Sequence, residues 1–193
     1  LGPREAIFDR RPDGTIYIRS PHQLAPYPVK LTERLEYWAK TAPERTFMAQ
    51  RDASGGWRRL SYAQTLDSVR RIGSALLQRR DLSPERPVVI LSGNDLEHAL
   101  LGLAAMYVGI PYAPISPAYS LISSDFGKLR YILDLLTPGM VFACDGQQYA
   151  RAIEAIVPKE TELVFTRNPI AGRKSIDFNH LAATIPTDAV EDA

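Results

Sequence analysis

The chain of 193 residues contains one cysteine, Cys144. A single thiol excludes an internal disulfide framework and any zinc site built on cysteines. Its apolar neighbours Met140-Val-Phe-Ala143 mark it as a small buried hydrophobe and not a nucleophile. Histidine is scarce too: His22, His98 and His180 lie far apart, without metal-ligand spacing. No apolar run approaches the ~18 residues of a membrane span, and Arg4, Glu5 and Asp9 stand where a signal peptide would be apolar. Neither sign of charge dominates, with 23 basic residues against 22 acidic. The arginine pairs 10–11, 58–59, 70–71 and 79–80 extend into no longer basic block and read as solvated faces. These absences predict a cytoplasmic protein with no membrane and no nucleic-acid partner.

Several catalytic signatures are missing as well. A dinucleotide site needs G-x-G-x-x-G between a strand and its helix, and Ser92-Gly-Asn94 offers one glycine. The nearest approach to a nucleotide P-loop, Gly172-Arg-Lys-Ser175, lacks a glycine five residues earlier. No G-x-S-x-G elbow occurs, and Ser92, Ser116 and Ser120 have no assignable base. His98 falls one turn into an apolar helix, where a neutral, hydrogen-bonded core imidazole is the simpler reading than a catalytic one. Tyr112 and Tyr119 read as packing aromatics with a wet hydroxyl, ligand stacking being the alternative.

What is present is ordered alternation. Residues 1–30, with Pro3, Pro12, Pro21, Pro26 and Pro28, predict a wrapping arm of two short extended pieces about the turn Pro12-Asp-Gly14. A helix follows over Leu31–Lys40 with Leu31, Leu35 and Trp38 on its buried face. Phe47–Arg51 and Trp57–Leu60 flank Asp52-Ala-Ser-Gly-Gly56 and predict a hairpin. Ser61 caps a long helix carrying Leu66, Val69, Ile72 and Leu76. Strands at Val88–Leu91, Tyr112–Ile115, Val141–Cys144 and Leu163–Thr166 then alternate with helices at Leu96–Val108, Ser124–Leu136 and Gln147–Val157. The helix from Leu96 is apolar nearly all round, with Asn94 and Glu97 predicted as its capping box and Gly109 as its left-handed stop. The pattern implies an α/β fold: a layered, mostly parallel sheet with helices on both faces, plus a small N-terminal extended arm and hairpin.

The segments Leu60-Ser-Tyr-Ala-Gln-Thr65, Val88-Val-Ile-Leu-Ser-Gly-Asn94 and Leu103-Ala-Ala-Met-Tyr-Val-Gly-Ile-Pro-Tyr-Ala-Pro-Ile-Ser-Pro117 resemble the first two core motifs of the adenylate-forming superfamily: acyl-CoA synthetases, luciferases and adenylation domains. Pro26-Tyr-Pro28, Trp57-Arg-Arg-Leu-Ser-Tyr62, Ser116-Pro-Ala-Tyr-Ser-Leu121, Asp125-Phe-Gly-Lys-Leu-Arg130 and Leu135-Leu-Thr-Pro-Gly139 are similar above all to feruloyl-CoA synthetases. In that family Pro111, Pro114 and Pro117 punctuate the exit from a short strand.

The resemblance implies an acid-thiol ligase using ATP, Mg²⁺ and CoA on a small carboxylic acid, a hydroxycinnamate such as ferulate. The family's phosphate loop, metal-binding glutamate, ribose-binding aspartate and lid lysine match nothing here. The chain starts with Leu and ends at Val190-Glu-Asp-Ala193, similar to the stretch just before the phosphate loop. It is therefore expected to be an arm (1–30) and an α/β subdomain (31–193) truncated before the phosphate loop and the lid domain. The remainder of the protein is its expected partner, no catalytic or metal residue lies in this piece, and no cofactor is held tightly by it. The resemblance places Pro117, Ala118, Tyr119 and Arg151 at the rim where the CoA nucleotide docks. Many relatives dimerise, which leaves a homodimer open. The alternative readings are a stand-alone, non-catalytic α/β binding or interaction domain and, disfavoured by the missing glycines, an oxidoreductase domain.

Overall fold

The computed structural model describes residues 4–193, so the first three residues of the arm lie outside the described residues. The arm forms a two-stranded hairpin, β1 (Ile7–Arg10) and β2 (Ile16–Arg19), turning at Gly14 with φ of 86°. It does not wrap. Every strand residue is exposed, including Phe8 and Ile18, because two strands alone enclose no core.

Helix α1 (Glu33–Thr41) buries Leu35, but Leu31 lies in the turn before it and is exposed, against the predicted face. The second hairpin, β3 (Thr46–Arg51) and β4 (Trp57–Ser61), is closed by Asp52, whose carboxylate accepts the amides of Ser54 and Gly56. Helix α2 (Tyr62–Leu77) starts on a capping box: Ser61 Oγ accepts from the Gln64 amide and Gln64 Oε1 from the Ser61 amide.

Then β5 (Val88–Ile90), α3 (Leu96–Tyr107), β6 (Tyr112–Pro114), the short α4 (Ala118–Leu121), α5 (Gly127–Leu136), β7 (Met140–Asp145), α6 (Gly146–Ile156) and β8 (Glu162–Arg167) follow. Three closing elements, β9 (Ile176–Asp177), α7 (Phe178–Ala182) and α8 (Ala189–Asp192), were not anticipated. The predicted helix from Ser124 begins at Gly127, because Phe126 sits at φ of 56°, outside helical space, and buries its ring.

The five-stranded sheet is parallel throughout, in the order β6-β5-β7-β8-β9. Its alternate residues feed two cores. Val88, Ile90, Met140, Phe142 and Val164 pack with α2, α3, α7 and α8; Val89, Leu91, Val141, Leu163 and Phe165 pack with α5 and α6. Each such side chain taken fully from water contributes ~1.5–3 kcal/mol. This is the layered arrangement the alternation implied. Strand β6 lies at the edge of the sheet, where proline's missing N–H is tolerated, and Pro111 still lends its carbonyl to the Val88 amide at 3.0 Å. Gly109 stops α3 at φ of 69°, as expected of a left-handed stop.

The capping of α3 departs from prediction by one residue. Asp95, not Asn94, takes the cap position and accepts from the His98 amide at 2.7 Å. Glu97 is drawn away by Arg58 of β4 at 2.7 Å, and Gln50 of β3 accepts the Leu96 amide at 3.2 Å, so the hairpin completes the helix start. No described helix is long and apolar enough to cross a membrane.

Candidate functional site

In an open parallel sheet the connections leave opposite faces at one switch point, and ligands favour the crevice beyond the strands' carboxyl ends there. Here that point lies between β5, whose next strand β6 goes one way, and β7, which goes the other. The pairing of Ile90 with Phe142 and of Phe142 with Val164 sets Ser92, Cys144 and Thr166 in one row across β5, β7 and β8. This row is polar and caps the apolar row below it. Ser92 Oγ accepts the Cys144 amide at 2.5 Å, while Thr166 Oγ1 is buried without a partner among the described residues.

The two turns leaving the switch point differ electrostatically. Asp95 is partly buried, and that burial pushes its carboxyl above the ordinary value despite the bond from the His98 amide. Asp145 caps α6; burial pushes it up, but the Gln148 amide, Asn168 Nδ2 at 2.9 Å and Arg167 Nε at 3.1 Å outweigh that and hold it below the ordinary value. Cys144 is half-buried and not, as expected, fully enclosed; that partial burial still raises its thiol, which agrees with an unreactive side chain. Tyr149 is raised to about 12 by burial and by the nearby Cys144 and Asp95.

His98 is half-buried, with Nδ1 2.9 Å from the Gly93 carbonyl oxygen. A neutral ring there carries its proton on Nδ1. His98 and Asp95 open onto a cleft of about 400 Å³ along α3, which reaches Leu103, Met106 and Tyr112. Leu103 and Met106 also border a second hollow of about 270 Å³ beneath Trp38, Phe47 and Tyr62. Helix α3, apolar nearly all round in sequence, thus keeps one half-buried apolar face open at Leu103 and Met106.

The four residues expected at the CoA rim lie on or beside two elements that pack together, α4 and α6. Pro117 immediately precedes α4, and Ala118 and Tyr119 form its first turn. The Lys128 ammonium stands 5.5 Å from the Tyr119 ring centre. Arg151, exposed on α6, lies 5.1 Å from the Phe126 ring and donates from Nη2 to the carbonyls of Ser123 and Ser124 at 3.3 and 3.4 Å.

Gly172-Arg-Lys-Ser175 lies between β8 and β9 and opens no helix; Arg173 binds the Val157 and Pro158 carbonyls instead. No three His, Cys, Asp or Glu side chains gather for a metal among the described residues. Three features escaped sequence reading: the Ser92–Cys144–Thr166 row, the bonds gathered at Asp145, and Gly146, where an added Cβ would meet the Asn168 carbonyl. The spacing of Asp145 before a helix was the one available signal.

A family model described as "AMP-binding enzyme" matches residues 35–189. No curated protein matches the chain. Among solved structures, a putative long-chain-fatty-acid CoA ligase from Rhodopseudomonas palustris aligns with a TM-score of 0.65 at 22% identity, over 81% of this chain and 37% of that one. A benzoate CoA ligase from Burkholderia xenovorans aligns at 0.61 and 19%, over 83% and 29%. A fatty acyl-adenylate ligase from Legionella pneumophila, solved with acyl adenylate and pyrophosphate, aligns at 0.55 and 20%, over 82% and 25%. At such identities the likeness is one of fold, and the chain spans only about a quarter to two-fifths of their length.

Proposed function

The chain belongs to the AMP-binding enzyme family, and from that membership we propose that it is the N-terminal scaffold lobe of an acyl-CoA synthetase. In the parent reaction a carboxylate oxygen attacks the α-phosphorus of ATP and pyrophosphate leaves; the CoA thiol then attacks the acyl carbon and AMP leaves. The observation carrying this reading is the family match over residues 35–189, set against a sequence with no Ser/Thr/Gly-rich phosphate loop.

The residues present do not fit ATP or Mg²⁺. The β5–α3 turn has one glycine, and no metal-ligating cluster occurs among the described residues. No chemical step is therefore assigned to them, and the chain alone is inactive in this reading. Its contribution is positional. The open face of α3 is a wall against which the rest of the protein packs, and Pro117, Ala118, Tyr119 and Arg151 form the rim that receives the CoA nucleotide.

Ferulate or a related hydroxycinnamate is the proposed acid, on the sequence similarity to feruloyl-CoA synthetases. The test extends the coding frame past Ala193 and assays the product for acid-dependent ATP–pyrophosphate exchange. Exchange with ferulate, and none from the 193-residue chain, is the expected result. A frame that stops at Ala193, or exchange by this chain alone, overturns it.

A further inference from the structure

We infer that α2 is the mooring that positions residues 184–193, with Arg70, Gly73 and Ser74 as its positioning residues. Through that segment α2 sets the phosphate loop of the parent enzyme, a step that rests on the function proposed above.

The three residues stand at spacings of three and four on one helical face, and each holds the segment by a different interaction. Ser74 is 1% exposed, and its Oγ accepts the Thr187 amide at 3.1 Å across 113 residues of sequence. A serine inside a helix ordinarily turns back to its own backbone. This one spends its acceptor on a distant strand of chain.

Gly73 forms a notch: an added Cβ would lie 3.0 Å from Val190 Cγ2 and 2.9 Å from Val108 Cγ1. Val190, 1% exposed, is seated there as the segment's apolar anchor. Arg70 Nε lies 2.9 Å from Glu191. The guanidinium is steadied from behind by Tyr107, whose hydroxyl donates to Glu36 at 2.6 Å.

Helix α8 has four residues, too few to persist unaided, so its position is set by what it docks against. Phosphate-binding amides work within a tolerance of about 0.5 Å, and misplacement of about 1 Å by a remote change can cost on the order of a hundredfold in rate. A loop that follows α8 thus takes its place from α2.

The experiment uses the protein of the complete reading frame and measures ATP–pyrophosphate exchange for the wild type, Glu191→Ala, Arg70→Met and Gly73→Ala. The expected result is a KM for ATP raised about tenfold in all three variants, with the KM for the acid changed by less than about twofold. Glu191 is exposed, so Glu191→Ala keeps the fold even where Gly73→Ala does not. A folded Glu191→Ala protein whose ATP constants match wild type, with only the melting temperature moved, overturns the positioning role. A wild type without exchange activity overturns the proposed function, and this inference with it.

Discussion

Gly146 opens α6 directly against the carbonyl of Asn168, where an added Cβ would lie 2.5 Å from the oxygen and 3.1 Å from the Pro169 α-carbon. Both neighbours are backbone and cannot turn aside. Gly146→Ala is therefore expected to cost about 1–3 kcal/mol, the usual range for overpacking. Gly93, across the same crevice, has nothing within 4 Å of its added Cβ, and Gly93→Ala should change stability by less than about 0.5 kcal/mol. Urea denaturation of the two variants checks the contrast.

Tyr107 and Tyr149 give the fold an alkaline weakness. Burial, and for Tyr107 the bond to Glu36, raises both from 10.0 to about 12. Folded pKa values above the unfolded ones mean that the unfolded state loses its protons first as pH rises. The stabilising contribution is whole below pH 10 and is lost as pH climbs towards about 12. Thermal melts across that window should fall steeply for the wild type and less steeply for Tyr107→Phe. A parallel fall in both proteins would contradict the assignment.

The two cap aspartates should respond to acid with opposite sign. Asp145 is held below 3.8 when folded, so it stabilises above that value and the gain is lost as pH falls through the lower folded pKa. Asp95 is raised above 3.8, so across the interval just above that value stability declines as pH rises. Asp145→Asn should cost about 1 kcal/mol at neutral pH, through the lost charge at its bonds to Arg167 and Asn168, and less under acid. Asp95→Asn should cost less at neutral pH, because asparagine also caps and has no buried charge. Stability measured from pH 3 to 7 separates the two slopes.

The parallel order of strands was legible because Val88–Leu91, Val141–Cys144 and Leu163–Thr166 are apolar runs between helical periods, and both faces of such strands must be covered. The capping of α3 was not. Asn94 and Asp95 are equal candidates by residue type, and the choice falls to Gln50 and Arg58, which arrive from a hairpin about 40 residues earlier. Strand β9 is two residues long and carries no periodicity to detect. The Ser92–Cys144–Thr166 row exists only once register is fixed, and register between parallel strands depends on the helices that cross over between them.

Arg151 tests the proposed rim. Part of its guanidinium is committed to the Ser123 and Ser124 carbonyls and to the Phe126 ring, yet the side chain remains exposed. If its remaining donors meet a phosphate, the planar fork matters and a lysine restores charge without geometry. In the complete enzyme Arg151→Ala should then raise the KM for CoA about tenfold, equal to about 1.4 kcal/mol, and Arg151→Lys should fall between. The KM values for ATP and the acid should stay within about twofold, since adenylation precedes CoA in the proposed reaction. Loss of the Ser123 and Ser124 bonds alone would instead lower the melting temperature of both variants and leave the CoA constant where it was. Steady-state kinetics over CoA concentration, read beside the melts, distinguishes a phosphate contact from a loop clasp.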